Sequence, residues 1–238
     1  MIFAAILAGG KGTRMKSATL PKQFLPLGDT PMLIYTINKF LSVSQIDKIY
    51  IGINPEWKDY ALELISTHLS ESACAQIELV DGGKDRNESL FNVVERIEND
   101  FGQTDEDILI THDAVRPFVS TEMIEENIDV CARHGAVGTV IGATDTVYFS
   151  ENLRDVSDVP DRENVFLAQT PQTFNIKVLK DAYESLDNAD KKSLTDGCKI
   201  CAKAGVKVKM VQGDVSNFKV TTDTDYLFAQ TLVSKSDK

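Results

Sequence analysis

The first 28 residues contain no aspartate or glutamate, although the 238-residue chain carries 36 of them. What that stretch does hold is Lys11, Arg14, Lys16 and Lys22, set around the loop Gly9-Gly10-Lys11-Gly12 and directly after the apolar run Ile2 to Leu7. An acidic protein that opens on a cationic, glycine-rich segment suits a polyanion such as a nucleoside triphosphate. Backbone N–H groups without side-chain cover approach phosphate oxygens, and nearby cations neutralise their charge. Other absences narrow the field. With 25 cations against 36 anions, the formal net charge is −11. That excludes the broad basic face needed for general nucleic-acid or anionic-membrane binding. No apolar stretch approaches the ~20 residues of a membrane span. Met1 leads directly into the first apolar run with no basic leader, so a cytoplasmic protein is expected. Cysteines are few and scattered: Cys74, Cys131, Cys198 and Cys201. In a leaderless chain they read as reduced thiols. Cys198-Lys-Ile-Cys201 matches C-x-x-C, but no second cysteine pair or paired histidines accompany it. It reads as a helix with one thiol packed inside.

The remaining pattern alternates strand and helix. Ile2–Leu7, Lys48–Ile53, Ile77–Val80, Asp107–Thr111 and Ala136–Ile141 read as strands. Pro31–Leu41, Trp57–His68, Asn87–Glu98 and Thr121–Arg133 read as helices between them, with Ser120 as an N-cap. Repeated βαβ units predict an α/β fold: a single doubly wound, mostly parallel sheet flanked by helices. Residues 142–169 break the alternation. Thr146–Phe149 and Val165–Gln169 look extended around a polar link, which predicts an extended arm. Alternation resumes with a helix after Asn175, a helix at Asp196–Ala204, a strand at Val206–Val211 and a last helix from Asp223. With no repeat, low-complexity tract or obvious linker, one domain over residues 1–238 is expected.

Ligands in such sheets bind beyond the carboxyl ends of the strands, and three unusual loops fall there. Gly9–Lys22 follows the first strand, Gly82-Gly83-Lys84-Asp85-Arg86 the third, and His112-Asp113-Ala114-Val115-Arg116-Pro117 the fourth. Their convergence on one edge predicts a single site. Two familiar phosphate loops fail on the first of them. Gly12 is followed by Thr13-Arg14, which excludes a Walker A loop. Met15 stands where a dinucleotide fingerprint needs its third glycine.

What remains is Leu7-Ala8-Gly9-Gly10-Lys11-Gly12-Thr13-Arg14-Met15, then Leu20-Pro21-Lys22-Gln23-Phe24-Leu25. Beyond it come Gly82 to Ser89, His112 to Phe118, Asp161-Arg162, Gln169-Thr170-Pro171-Gln172, Thr195-Asp196 and Asn217-Phe218-Lys219-Val220-Thr221. This ordered set resembles the sugar-phosphate nucleotidyltransferases, and within them the cytidylyltransferases acting on methylerythritol phosphate or ribitol 5-phosphate. The resemblance covers nearly the whole chain. It implies a Rossmann-like nucleotidyltransferase fold and transfer of CMP from CTP to a polyol phosphate. By resemblance, Arg14 and Lys22 are catalytic. Leu7, Ala8, Gly9, Gly10, Gly82, Gly83, Asp85, Arg86, Asn87 and Ser89 hold CTP. Thr146, Arg162, Thr170 and Lys219 position the acceptor, and Asp113 binds Mg²⁺ or another divalent cation. The resemblance also implies a homodimer formed through an arm, which residues 142–169 would supply. Lys11 and Lys16 read as solvated loop cations, Arg116 as a loop brace, and His112 as a packed histidine rather than a base.

Local departures bear on the acceptor. The methylerythritol enzymes carry an acid just before the Asn of Asn-x-Lys-Val-Thr, where this chain has Ser216. They continue Thr-Asp differently from Thr195-Asp196-Gly197-Cys198-Lys199, which resembles the ribitol branch. Ribitol 5-phosphate is therefore the expected acceptor, with methylerythritol 4-phosphate the alternative. Three other readings compete. A sugar-1-phosphate nucleotidyltransferase is opposed by the short length, a dead nucleotide-binding regulator by the intact Arg14, Lys22, Asp113 and Lys219, and a dehydrogenase by the failed fingerprint.

Overall fold

The computed structural model describes residues 1–10, 20–102 and 105–236. Among them, seven strands form one sheet, in the order β5 (Ile77–Asp81), β4 (Lys48–Ile53), β1 (Ile2–Leu7), β6 (Ile108–Asp113), β8 (Phe166–Asn175), β7 (Ala136–Gly142) and β9 (Lys209–Gln212). Only β8 runs against its neighbours. The sheet is therefore mostly parallel, as the βαβ alternation predicts. A two-stranded ribbon, β2 (Pro26–Leu27) with β3 (Thr30–Pro31), stands apart from it.

Strand periodicity sorts side chains into two layers. Ala4 and Ile6 of β1, Ile49, Ile51 and Ile53 of β4, and Ile108 and Ile110 of β6 point to one face. There they meet α1 (Met32–Leu41), α2 (Lys58–His68) and α5 (Thr121–His134). The alternate residues Phe3, Ala5, Tyr50 and Leu109 meet α4 (Arg86–Phe101), α6 (Ile176–Ser185) and α8 (Gly197–Lys203) on the other face. The result is the three-layer doubly wound architecture.

Strand order reverses between β1 and β6. The chain builds outward from β1 to β4 and β5, then returns to add β6 on the far side. Crevices outside the carboxyl ends at such a reversal are where α/β sheets bind ligands. Register puts the ends of both strands together, with Leu7 opposite Asp113.

Two short helices, α3 (Glu71–Ala75) and α7 (Asn188–Lys192), escape a periodicity argument because five residues hold barely more than one turn. The strand expected at Val206–Val211 begins at Lys209 instead, because Val206 and Val208 pack against the second core layer. The expected excursion lies between β7 and β8. Its first half is less regular than predicted, with one isolated bridge from Phe149 to Asp158, and Val165–Gln169 feeds into β8. Its surface is apolar for an exposed segment, with Tyr148 66 % and Leu153 91 % exposed. The helical reading of Cys198-x-x-Cys201 holds. All four cysteines are free thiols, and burial pushes the Cys201 thiol up to about 12. None of the helices in the described residues is long and apolar enough to cross a membrane.

Candidate active site

A cavity of about 750 Å³ opens at the β1–β6 reversal. Its wall brings together the three loops singled out above: Leu7 to Gly10 with Lys22, Gly82 to Arg86 with Ser89, and Asp113 to Val115. Lys219 joins them from the far end of the chain. It also includes Asn54, Pro55 and Glu56, which sequence reading passed over. Their signal was positional: they directly follow β4, so the rule that placed the other loops applies to them too. Arg14, Lys11 and Lys16 lie outside the described residues.

Each wall is held by specific bonds. Ala8 N–H donates to Gly52 O at 2.7 Å, and Ala114 N–H donates to Leu7 O at 3.1 Å, so both strand ends are fixed. Lys22 opens a single 3₁₀ turn and is only 7 % exposed. Its neighbour Gln23 donates through Nε2 to Ala8 O (2.7 Å) and Gly10 O (3.3 Å), tying the end of the loop to its beginning. Phe24 seats the turn against Trp57 and Tyr60.

The second loop is clamped at the start of α4. Asp85 accepts from Glu88 N–H (2.9 Å), while Glu88 accepts from Lys84 N–H (2.7 Å). Ser89 Oγ accepts from Gly83 N–H (2.9 Å) and donates to Asp85 O (2.8 Å). Gly83 is required by space, since a Cβ there would lie 2.2 Å from Glu88 Cγ. Asn87 is buried and is not part of the cavity wall.

The floor is an ion cluster. Asp113, 6 % exposed, pairs with Lys219 Nζ at 3.0 Å, Arg86 Nε at 3.4 Å and Arg116 Nε at 3.5 Å. Burial pushes the Asp113 carboxyl up, but the three cations outweigh it and hold it well below the usual carboxylate range. One anion against three cations leaves a surplus of positive charge. Both terminal guanidinium nitrogens of Arg86 are buried without a hydrogen-bond partner among the described residues. Such a floor attracts an anion.

A neutral network braces it from below. Asp113 N–H donates to Thr170 Oγ1 (3.1 Å), Thr170 Oγ1 contacts His112 Nδ1 (3.0 Å), and His112 Nε2 contacts Arg116 O (3.0 Å). The consistent assignment has His112 neutral with its proton on Nε2, donating to the Arg116 carbonyl and accepting from Thr170. Arg116 in turn donates to Asn217 O at 2.8 Å, and Asn217 Nδ2 donates to Thr170 O at 2.8 Å. Thr170 is thus a buried support for Asp113 rather than a cavity residue, and Arg116 braces loops as expected. His112 is fully buried, and burial drives its pKa down to about 4. Unfolding restores a value near 6.5. Between those values the unfolded chain binds more protons, so stability falls as pH drops from 6.5 to 4, by about 3 kcal/mol for this group. Urea unfolding across that range is expected to show the loss, and His112→Gln to flatten it.

Thr146 and Arg162 are exposed in the excursion and outside the cavity wall; Arg162 Nη1 donates to Thr144 O at 3.3 Å. Neither Ser216 nor Asp214 lines the cavity. Asp214 is engaged locally, accepting from Ser216 N–H at 2.7 Å. Among the described residues no group of three or more His, Cys, Asp or Glu could hold a metal by itself.

A switch-point cavity with glycine backbone on two walls and surplus positive charge on its floor suits the phosphates of a nucleotide, and a family match over nearly the whole chain makes it a nucleotidyltransferase. Comparison narrows the class. The family described as IspD, 2-C-methyl-D-erythritol 4-phosphate cytidylyltransferase, matches residues 2–235. Among solved structures, a 4-diphosphocytidyl-2C-methyl-D-erythritol synthase from Anaerococcus prevotii is similar at 28 % identity and TM-score 0.81, covering 98 % of this chain and 96 % of that one. The Francisella tularensis 2-C-methyl-D-erythritol 4-phosphate cytidylyltransferase is similar at 26 % identity and TM-score 0.78, covering 97 % and 98 %. The Thermus thermophilus enzyme of the same name, at 24 % identity and TM-score 0.72 over 98 % and 100 %, shares the fold. The chain belongs to the IspD family and is a cytidylyltransferase.

Proposed function

We propose that this chain transfers CMP from CTP to 2-C-methyl-D-erythritol 4-phosphate. The observation that carries the reading is the cavity: a buried lysine on one side, a surplus-positive Asp113–Lys219–Arg86 floor on the other, and glycine backbone between them. A phosphate oxygen of the acceptor bonds to the α-phosphorus of CTP. The bond from that phosphorus to the pyrophosphate bridge breaks, and its electron pair leaves with pyrophosphate. The nucleophile is already an anion, so no base is needed. The barrier is bringing two anions together and stabilising the crowded phosphorus centre. Lys22, with Arg14, stabilises charge around the α-phosphate and the leaving pyrophosphate. Leu7 to Gly10 and Gly82 to Ser89 hold the nucleotide, with Asp85 and Ser89 bracing the second loop and Arg86 facing the phosphates. Lys219 leaves Asp113 to take the acceptor's phosphate. The hard carboxylate oxygens of Asp113 are the donors here that would hold a divalent cation such as Mg²⁺, once bound phosphates offset the three cations around it. Such an ion would supply charge neutralisation for the phosphates.

The methylerythritol acceptor is supported by the family match and by similar structures of that name. Much of the case for ribitol 5-phosphate rests on residues that serve packing. Asp196 caps α8 by accepting from Lys199 N–H and also accepts from Gln172 Nε2, both at 2.9 Å. A Cβ at Gly197 would lie 2.6 Å from the Phe174 ring. Ribitol 5-phosphate stays the second reading because Ser216 stands in place of the acid. A pyrophosphate-release panel crossing ATP, GTP, UTP and CTP with both polyol phosphates tests this. Release with CTP and methylerythritol 4-phosphate is expected. Faster release with ribitol 5-phosphate reverses the acceptor assignment, and CTP binding without release makes the chain a regulator.

Within one chain, Thr146 and Arg162 stand away from the cavity. Their proposed role on the acceptor therefore requires the arm at about 142–169 of a second copy, consistent with the single-domain chain pairing through its exposed apolar arm. Light scattering is expected to give a dimer, and a monomer removes this assignment.

A further inference from the structure

We propose that Gln23 is a positioning residue: its side-chain amide holds the backbone of the first loop so that the Gly9 N–H meets an acceptor atom of the bound nucleotide. The proposal rests on the cytidylyltransferase reading of the cavity. Gln23 sits in the 3₁₀ turn Lys22–Phe24 and is 2 % exposed. Its Nε2 carries two protons and meets two carbonyls from one short stretch, Ala8 O at 2.7 Å and Gly10 O at 3.3 Å. Those two acceptors also fix which way the amide lies, because Oε1 in that place would face two carbonyl oxygens. The Ala8–Gly9 peptide is trans, so its C=O and N–H point in opposite directions. With the Ala8 carbonyl drawn onto Gln23, the Gly9 N–H is turned away from it. Gly9 lines the cavity, and among the described residues nothing accepts from its N–H.

A backbone donor with a set direction on a cavity wall, unused within the fold, offers itself to a nucleotide acceptor. The Lys22 turn has supports of its own. Phe24 N–H donates to Pro21 O at 2.9 Å and Leu25 N–H to Lys22 O at 3.1 Å, and the Phe24 ring packs on Trp57 and Tyr60. Farther along, Leu27 packs with Val115, Val220, Ala229 and Val233, and Tyr226 Oη donates to Pro26 O. The last helix, α9 (Asp223–Ser236), thereby ties the segments that follow Lys22 and Lys219 together. Without the Gln23 amide the turn therefore stays, whereas the Ala8 carbonyl loses its donor and must turn to find another. Turning it swings the Gly9 N–H as well, since the two belong to one rigid plane.

Gln23→Met keeps the length and bulk of the side chain and removes both donors. In CTP-dependent pyrophosphate release with the acceptor that the wild-type protein uses, it is expected to raise the CTP KM about tenfold, the effect of one lost hydrogen bond to the ligand. The acceptor KM is expected to stay unchanged and kcat to stay within about threefold. Calorimetry with CTP alone is expected to show the same weakening. Inorganic tripolyphosphate as a competitor of CTP locates the acceptor atom: an inhibition constant that rises in parallel places it on the phosphates, and one that stays at the wild-type value places it on the base or ribose. A glutamine that served only the fold would lower the melting temperature and the active fraction, hence kcat, and leave CTP affinity alone. That result, or a wild-type CTP KM, overturns the proposal. If Gln23→Met fails to fold, Gln23→His decides, because it keeps one ring N–H for the two carbonyls. Its CTP KM is expected to rise about threefold, and an unchanged value overturns the proposal. Absence of turnover in the wild-type protein is a different result that rejects the proposed function, and the calorimetric comparison of CTP affinity then still tests Gln23.

Discussion

Lys22→Ala is expected to lower kcat for pyrophosphate release about 10³-fold while leaving the fold intact. Lys22 is the described cation on the Gly9–Lys22 side of the cavity, nearly buried, with its turn fixed by Gln23 and Phe24. A fixed charge aimed at a developing anion in a water-poor site is worth about 3–4 kcal/mol in the transition state. Because the lysine contributes little to the hydrophobic core, the thermal midpoint is expected to stay within about 2 °C of wild type. Steady-state kinetics and a thermal melt on one preparation check both statements. A kcat change under tenfold would reject the assigned role.

The second large effect is at Asp113. Asp113→Ala removes the anion shared by Arg86, Arg116 and Lys219 and leaves the three cations facing one another at the cavity floor. Removing one partner from a buried ion cluster costs about 3–5 kcal/mol, so urea unfolding without added metal is expected to show a loss of that order. Activity is expected to fall below detection and not to recover with excess Mg²⁺. The unbalanced charge should also make CTP raise the melting temperature of this variant more than that of wild type. Were Asp113 only a metal ligand, the metal-free protein would lose little stability on substitution, and the urea midpoints would nearly coincide.

Fold and site were legible in the sequence to different depths. The apolar runs at Ile2–Leu7 and Lys48–Ile53 and the helices between them were readable because a buried parallel strand and an amphipathic helix leave different periodicities. The convergence of the loops at Gly9, Gly82 and His112 followed from the strand-end rule. Lys219 was named by motif alone, since nothing local distinguishes its run from an edge strand; in the structure Phe218–Thr221 forms no strand, and Lys219 contacts Asp113. The resemblance gives Thr170 to the acceptor, and in the structure its hydroxyl bonds to Asp113 N–H and His112 Nδ1. A hydroxyl in a motif looks the same whether it touches substrate or the residue behind it. In sequence the Thr195-Asp196-Gly197 signature points to acceptor choice; in the structure Asp196 meets Gln172 and Lys199, and Gly197 sits against Phe174.

By itself, then, the sequence determined the layered α/β architecture, the edge that carries the site, and the acid-free opening that anticipates a triphosphate. These follow from composition and local periodicity, which need no knowledge of what lies far away in the chain. Only the tertiary structure decided that Asp113 is shared by Arg86 and Lys219 from distant segments as well as by Arg116 of its own loop, that His112 is locked neutral beneath it, and that the last helix ties the Lys22 and Lys219 loops together. Charge sharing, burial and packing depend on distances between residues up to a hundred or more positions apart, such as Arg116 and Asn217. The folded chain alone sets those distances.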